Sequence, residues 1–129
     1  MKYIRTKDGR IIKIGEQTDV DYKKGTFEIH NKAGIVASYE PIDVLKQADT
    51  IEKLSDCFVA YKKGYGEPIV GSMKDKDKLR YGEIKMAIRL AISTGLCTKE
   101  ECWLKLAIWT DKGLIYVAKM NKKGEFELL

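Results

Sequence analysis

Leu104-Lys105-Leu106-Ala107-Ile108-Trp109-Thr110-Asp111-Lys112-Gly113-Leu114-Ile115-Tyr116-Val117-Ala118-Lys119-Met120 is the stretch that decides the fold of this chain. Two runs rich in apolar, aromatic and β-branched residues flank the bend Asp111-Lys112-Gly113, a pattern that predicts an antiparallel hairpin. Side chains alternate across a strand. In the second run Leu114, Tyr116, Ala118 and Met120 therefore share one face, with Ile115 and Val117 on the other. Apolar residues on both faces predict a central strand covered twice. Just upstream, from Leu79 to Ser93, the period changes to that of a helix. Ile84, Ala87, Ile88, Ala91 and Ile92 fall on one face, Leu79, Met86 and Leu90 on a neighbouring one, and Gly95 stands where a left-handed C-cap belongs. So wide an apolar face predicts a helix lying across the hairpin, with the N-terminal strands on the hairpin's other side.

Working outward, Tyr3 to Thr6 and Arg10 to Ile14 flank Lys7-Asp8-Gly9 and predict a first hairpin. After a polar stretch from Gly15 to Lys24, Thr26 to His30 and Ile35 to Tyr39 predict a second, turning at Asn31-Lys32-Ala33-Gly34. Pro41 is expected to close that strand, with Ile42, Val44 and Leu45 in a brief helical turn. Asp49 or Thr50 suits the cap of a short helix carrying Ile51 and Leu54, and Phe58 to Tyr61 reads as a strand. Lys62 to Met73 reads as a glycine-rich loop, and Glu125 to Leu128 as a last short strand. The fold class is α+β: a mainly antiparallel sheet built from hairpins, barrel-like in its first half, with one long helix and one or two short ones. With 129 residues, 44% of them apolar, the chain is expected to form a single domain spanning 1–129.

The net charge of +5 is mildly basic and the charges of both signs are interspersed, as in ordinary globular chains. No apolar run reaches the roughly 18 residues a bilayer crossing needs, and Met1-Lys2-Tyr3-Ile4-Arg5 lacks the apolar centre of a secretion signal. Cys57, Cys97 and Cys102 are an odd number, spaced C-x4-C in the last pair, and read as reduced thiols. A cytoplasmic location without membrane attachment is expected.

The chemistry-bearing patterns are thin. Gly64, Gly66 and Gly71 resemble a phosphate cradle in outline, but the dinucleotide pattern would need its third glycine at Ile69, and the phosphate-loop lysine is replaced by Ser72. One imidazole, His30, and three scattered cysteines make no metal set, and no nucleophile comes with an adjacent base. No catalytic residue, metal or cofactor is expected. Lys74, Lys76, Lys78 and Arg80 stand against Asp75 and Asp77, with Tyr61 and Tyr65 nearby; these two tyrosines and four cations are the candidate contact surface.

Three blocks carry a resemblance: Lys2 to Gly9, Lys46 to Glu52, and Ala107 to Asn121. They resemble a group of small phage and prophage proteins of low-GC Gram-positive bacteria, over about a quarter of the chain. The resemblance transfers no site residue. It implies an accessory protein in the host cytoplasm, acting by binding a protein partner from host or phage. A nucleic-acid-binding module is the alternative, on the basic balance and a barrel-like first half. An enzyme with an unfamiliar site is the third reading, resting on the glycine-rich loop and Cys57.

Overall fold

The computed structural model describes residues 2–14, 19–23, 26–31, 34–39 and 44–129. Its contacts fall into two compact units, Met1–Leu54 and Ser55–Leu129. The class is α+β, with antiparallel strands throughout.

In the first unit, β1 (Lys2–Thr6) pairs with β2 (Ile11–Ile14) as the first predicted hairpin. Gly9 takes φ 89° in the turn, a region open to glycine at little steric cost. The Thr6 hydroxyl donates to Asp8, whose carboxylate also meets Arg10 at 2.8 Å. That hydroxyl first, and then Arg10, hold the Asp8 carboxyl below its usual range. Strand β3 (Asp19–Lys23) pairs with β4 (Thr26–Asn31), and β4 with β5 (Gly34–Tyr39). The second predicted hairpin is thus present, with an additional strand in what reads as a polar stretch. Its alternation of Val20 and Tyr22 with Asp19, Asp21 and Lys23 is a strand signal.

The expectation for Pro41 and Ile42 lies outside the described residues. Val44 and Leu45 belong not to a helical turn but to β6 (Val44–Ala48), which pairs with the far side of β1. Barrel-like closure is not found among the described residues, where the strands form two separate three-stranded sheets, β2-β1-β6 and β3-β4-β5. A single 3-10 turn, Glu52–Leu54, follows; the Lys53 N–H donates to the Thr50 hydroxyl and the Arg5 guanidinium to the Leu54 carbonyl. Ile4, Thr6, Ile51 and Leu54 are buried.

The second unit is one five-stranded sheet with a helix on it. The strands are β7 (Cys57–Lys62), β8 (Ile69–Ser72), β9 (Cys102–Thr110), β10 (Gly113–Met120) and β11 (Phe126–Leu128), in the order β11-β10-β9-β7-β8. The decisive hairpin is present and β9 is central. Helix α1 runs Lys78–Ser93 and ends with Gly95 at φ 76°, its N–H donating to the Ile92 carbonyl. The helix lies across β9 and β7, and its Lys85 ammonium reaches to 5.4 Å from the Phe126 ring of β11, beyond β10.

Register assigns the two faces. Phe58, Leu104, Leu106, Ala118 and Met120 share the helix side and are buried. The opposite side carries Tyr61, Trp103, Lys105, Trp109 and Tyr116. That side is buried at Cys57, Val59 and Ala107 but open at Trp109, 60% exposed, and Tyr116, 42%. The cover on both sides read from the sequence thus holds over β7 and the middle of β9 and is corrected at Trp109 and Tyr116, whose rings satisfy an apolar pattern while their large edges stay wet.

Phe58 fixes the helix side. Its ring is fully buried, lies 5.3 Å from the Tyr81 ring of α1, and occupies the place a Cβ on Gly71 would take. Gly71 is paired with Phe58 across β7 and β8, so one strand's missing side chain houses its neighbour's ring. Gly71→Ala is expected to destabilise the protein by about 1–3 kcal/mol through overpacking, read as a lower urea midpoint with unchanged slope.

Candidate functional site

Two residues beyond Phe58, on the same face of β7, stands Ala60. The large ring props α1 away from the sheet, and the small side chain leaves the next space unfilled. A groove of about 220 Å³ opens there, lined among others by Ala60 and Tyr65, by Ile69 of β8, and by Ile84, Ala87 and Ile88 of α1. Its walls are mostly apolar. Tyr65 reaches it from the β7–β8 turn, where Gly64 and Gly66 take φ 90° and 82°, and the Lys62 ammonium lies 5.0 Å from the Tyr65 ring centre. Exposed Tyr65 and Ile69 carry this apolar lining out to the surface at its β-hairpin margin.

The strand β8 that bounds the groove is an edge strand with its ends closed. The Ser72 N–H donates to the Asp77 carboxylate at 2.9 Å, so in this ladder the outward positions are 72 and 70, and the next is Pro68, which has no N–H. Asp77 occupies the N-cap of α1 without capping it; its carboxylate serves the strand.

The structure divides the residues singled out in the sequence. Tyr61 and Tyr65 both line the groove, though the Tyr61 ring stacks on Trp103 at 5.7 Å on the sheet's other face. Lys74 lines a second concavity of about 390 Å³, with Asp56, Cys57, Ser72, Asp77 and Trp109. Lys76 sits in the 3-10 turn Asp75–Asp77, while Lys78 and Arg80 are exposed on the first turn of α1. His30 lies on β4.

Residues that the sequence reading passed over form their own cluster. On the face opposite α1, Lys105 places its ammonium 4.7 Å from the Trp103 ring centre and 4.9 Å from that of Tyr116. With Tyr61 stacked on Trp103, this makes a row of three rings, two of them around one cation. The signal was the i, i+2 spacing of Trp103 and Lys105 on a strand.

The thiols are unlike one another. Cys57 is buried, donates to the Ala107 carbonyl at 3.8 Å, and is held above the usual thiol range by burial and then by Asp56. Cys97, partly exposed after α1, is pushed up to about 11 by burial and by its hydrogen bond with Cys102. Among the described residues, no three His, Cys, Asp or Glu side chains converge as a metal site, and no helix is long and apolar enough to cross a membrane. No family model, curated protein or solved structure matches the chain.

Because the thiolate is the attacking species, Cys97 should resist alkylation at neutral pH. Its rate with iodoacetamide, followed by peptide mass spectrometry, is expected to climb about tenfold per pH unit until near 11. A plateau near pH 9 would contradict that environment.

Proposed function

We propose that this chain is a phage- or prophage-type accessory protein of the host cytoplasm that works by binding a protein partner, with the groove between α1 and the β7–β8 turn as the seat of recognition. The observation that carries this reading is the apolar lining of the groove, which reaches the surface at exposed Tyr65 and Ile69. Contiguous exposed apolar surface of this kind is costly in water and characteristic of interaction sites. Closed strand ends beside it favour capture of side chains over strand addition. The likeness of three sequence blocks to phage and prophage proteins supplies the setting.

Ala87 is exposed on the groove wall, so Ala87→Arg fills the apolar space with a charge and leaves the core alone. In pull-downs from a low-GC Gram-positive lysate at mild salt, the wild-type chain is expected to retain a protein that Ala87→Arg recovers at roughly a tenth of the yield or less. Recovery of nothing above background, or equal recovery by both chains, would remove the reading.

The Tyr61–Trp103–Lys105–Tyr116 row favours a second reading, single-stranded nucleic acid, since rings stack on bases and a lysine meets phosphate. Gel shifts with single-stranded DNA and RNA should then show a complex that fades steeply with salt and that Lys105→Ala weakens. Absence of any complex at low salt would discard it.

A further inference from the structure

Helix α1 has a second apolar side. Its inward face carries Tyr81, Ile84, Ile88 and Ile92, whereas Leu79, Met86 and Leu90 point away and are 78%, 58% and 54% exposed. Spaced i, i+7 and i+11, they form one stripe about 16 Å long at 1.5 Å per residue. Gly82 lies beside this stripe, between Leu79 and Met86. A Cβ there would meet nothing within 4 Å, so no packing inside the chain demands a glycine. Glycine in a helix interior costs about 0.5–1 kcal/mol relative to alanine, and what it supplies is bare backbone that another helix can approach closely.

Charge names the occupant. Lys78 flanks the stripe on one side and Arg80 on the other; both are exposed, and neither forms an ion pair among the described residues, while Arg89 lays its side chain against the turn at Gly124. A single carboxylate, Glu83, lies along it. A second copy of α1 would bring cations against cations. An extended segment would find only position 70 of the neighbouring β8 edge open, between Ser72, whose N–H Asp77 takes, and Pro68. We infer that the outward face of α1 receives an acidic amphipathic helix of the protein partner, its apolar side chains seated on Leu79, Met86 and Leu90 and its carboxylates on Lys78 and Arg80. This rests on the reading of the chain as a protein-binding module and names the chemistry of what it binds.

A photocrosslinking phenylalanine analogue, placed in separate full-length chains at Met86 and at Tyr65, tests it in the same lysate. The linked segment is sequenced by mass spectrometry, synthesised, and titrated against the chain by circular dichroism and fluorescence anisotropy. The expected result is a crosslink from position 86 to an acidic segment that gains helicity on binding. Met86→Glu and Gly82→Leu, both on the exposed face, should weaken its binding about tenfold or more while the chain melts cooperatively as before. Crosslinks from position 65 alone would overturn the helix proposal and leave protein binding standing; crosslinks from neither would end both. A basic or extended segment, crosslinking of the chain to itself, unchanged affinity of Gly82→Leu, or co-sedimentation with phosphatidylglycerol vesicles that Met86→Glu abolishes would each overturn it.

Discussion

Everything in the second unit is arranged around the need to house one ring. Phe58 sits on the helix side of β7 with no exposed surface, and the sheet accommodates it by omitting a side chain at Gly71 while the helix meets it with Tyr81. Close packing sets the separation of α1 from the sheet at that point. Since the next residue on the same face is Ala60, the separation persists where there is nothing to fill it. The groove is therefore a direct result of a large residue followed two positions later by a small one, and no separate device is needed to hold it open.

The two ends of the central strands are tied by groups outside the regular ladder. Asp56 continues β7 by one residue: its N–H donates to the Ala107 carbonyl, its carbonyl accepts from Met73, and its carboxylate accepts from the Trp109 N–H. At the other end the Lys63 N–H donates to the Glu101 carbonyl at 2.7 Å. These bonds pin β7 to β9 on one flank and to the end of β8 on the other, so the strand that carries Phe58 and Ala60 is held in register over its whole length. Asp77 then sacrifices its role as helix cap to close the β8 edge. A carboxylate at that position still suits the positive end of the helix dipole, which makes the diversion inexpensive.

What the sequence makes legible follows from the range of the interactions involved. Gly9, Gly95, Gly113 and Gly124 all take positive φ, and each hairpin or helix end they mark is a local event written within a few residues. β8 escaped notice because Gly71 and the preceding Pro68 look like loop residues; the glycine answers to Phe58, thirteen positions away, and no local pattern carries that information. β6 escaped for a related reason, its pairing with β1 spanning some forty residues. Tyr61 and Tyr65 were found as candidates by their aromatic character, and both border the groove. The cations grouped with them by sequence were dispersed by the fold, because Lys74 to Arg80 crosses from a 3-10 turn into a helix and each residue points elsewhere. Ile84 and Ile88 appeared as helix core, and they are; that core residues also wall a groove is a property of the space opposite them.

The composition of α1 brings these points together. A helix that only had to cover one face of a sheet needs an apolar stripe of modest width and a polar remainder. This one spreads leucine, methionine and isoleucine around most of its circumference, which lowers its amphipathicity and would suit a helix buried between two layers. The sheet supplies one layer. On the outer side the apolar residues are not scattered, as incidental surface leucines would be, but fall in line and are bordered by cations that form no ion pair among the described residues, next to a glycine that lowers helix propensity for no internal gain. Each of these features alone has a bland explanation. Their coincidence on one face of one helix, adjoining a groove produced by the chain's own packing, is what a surface shaped for a second layer requires.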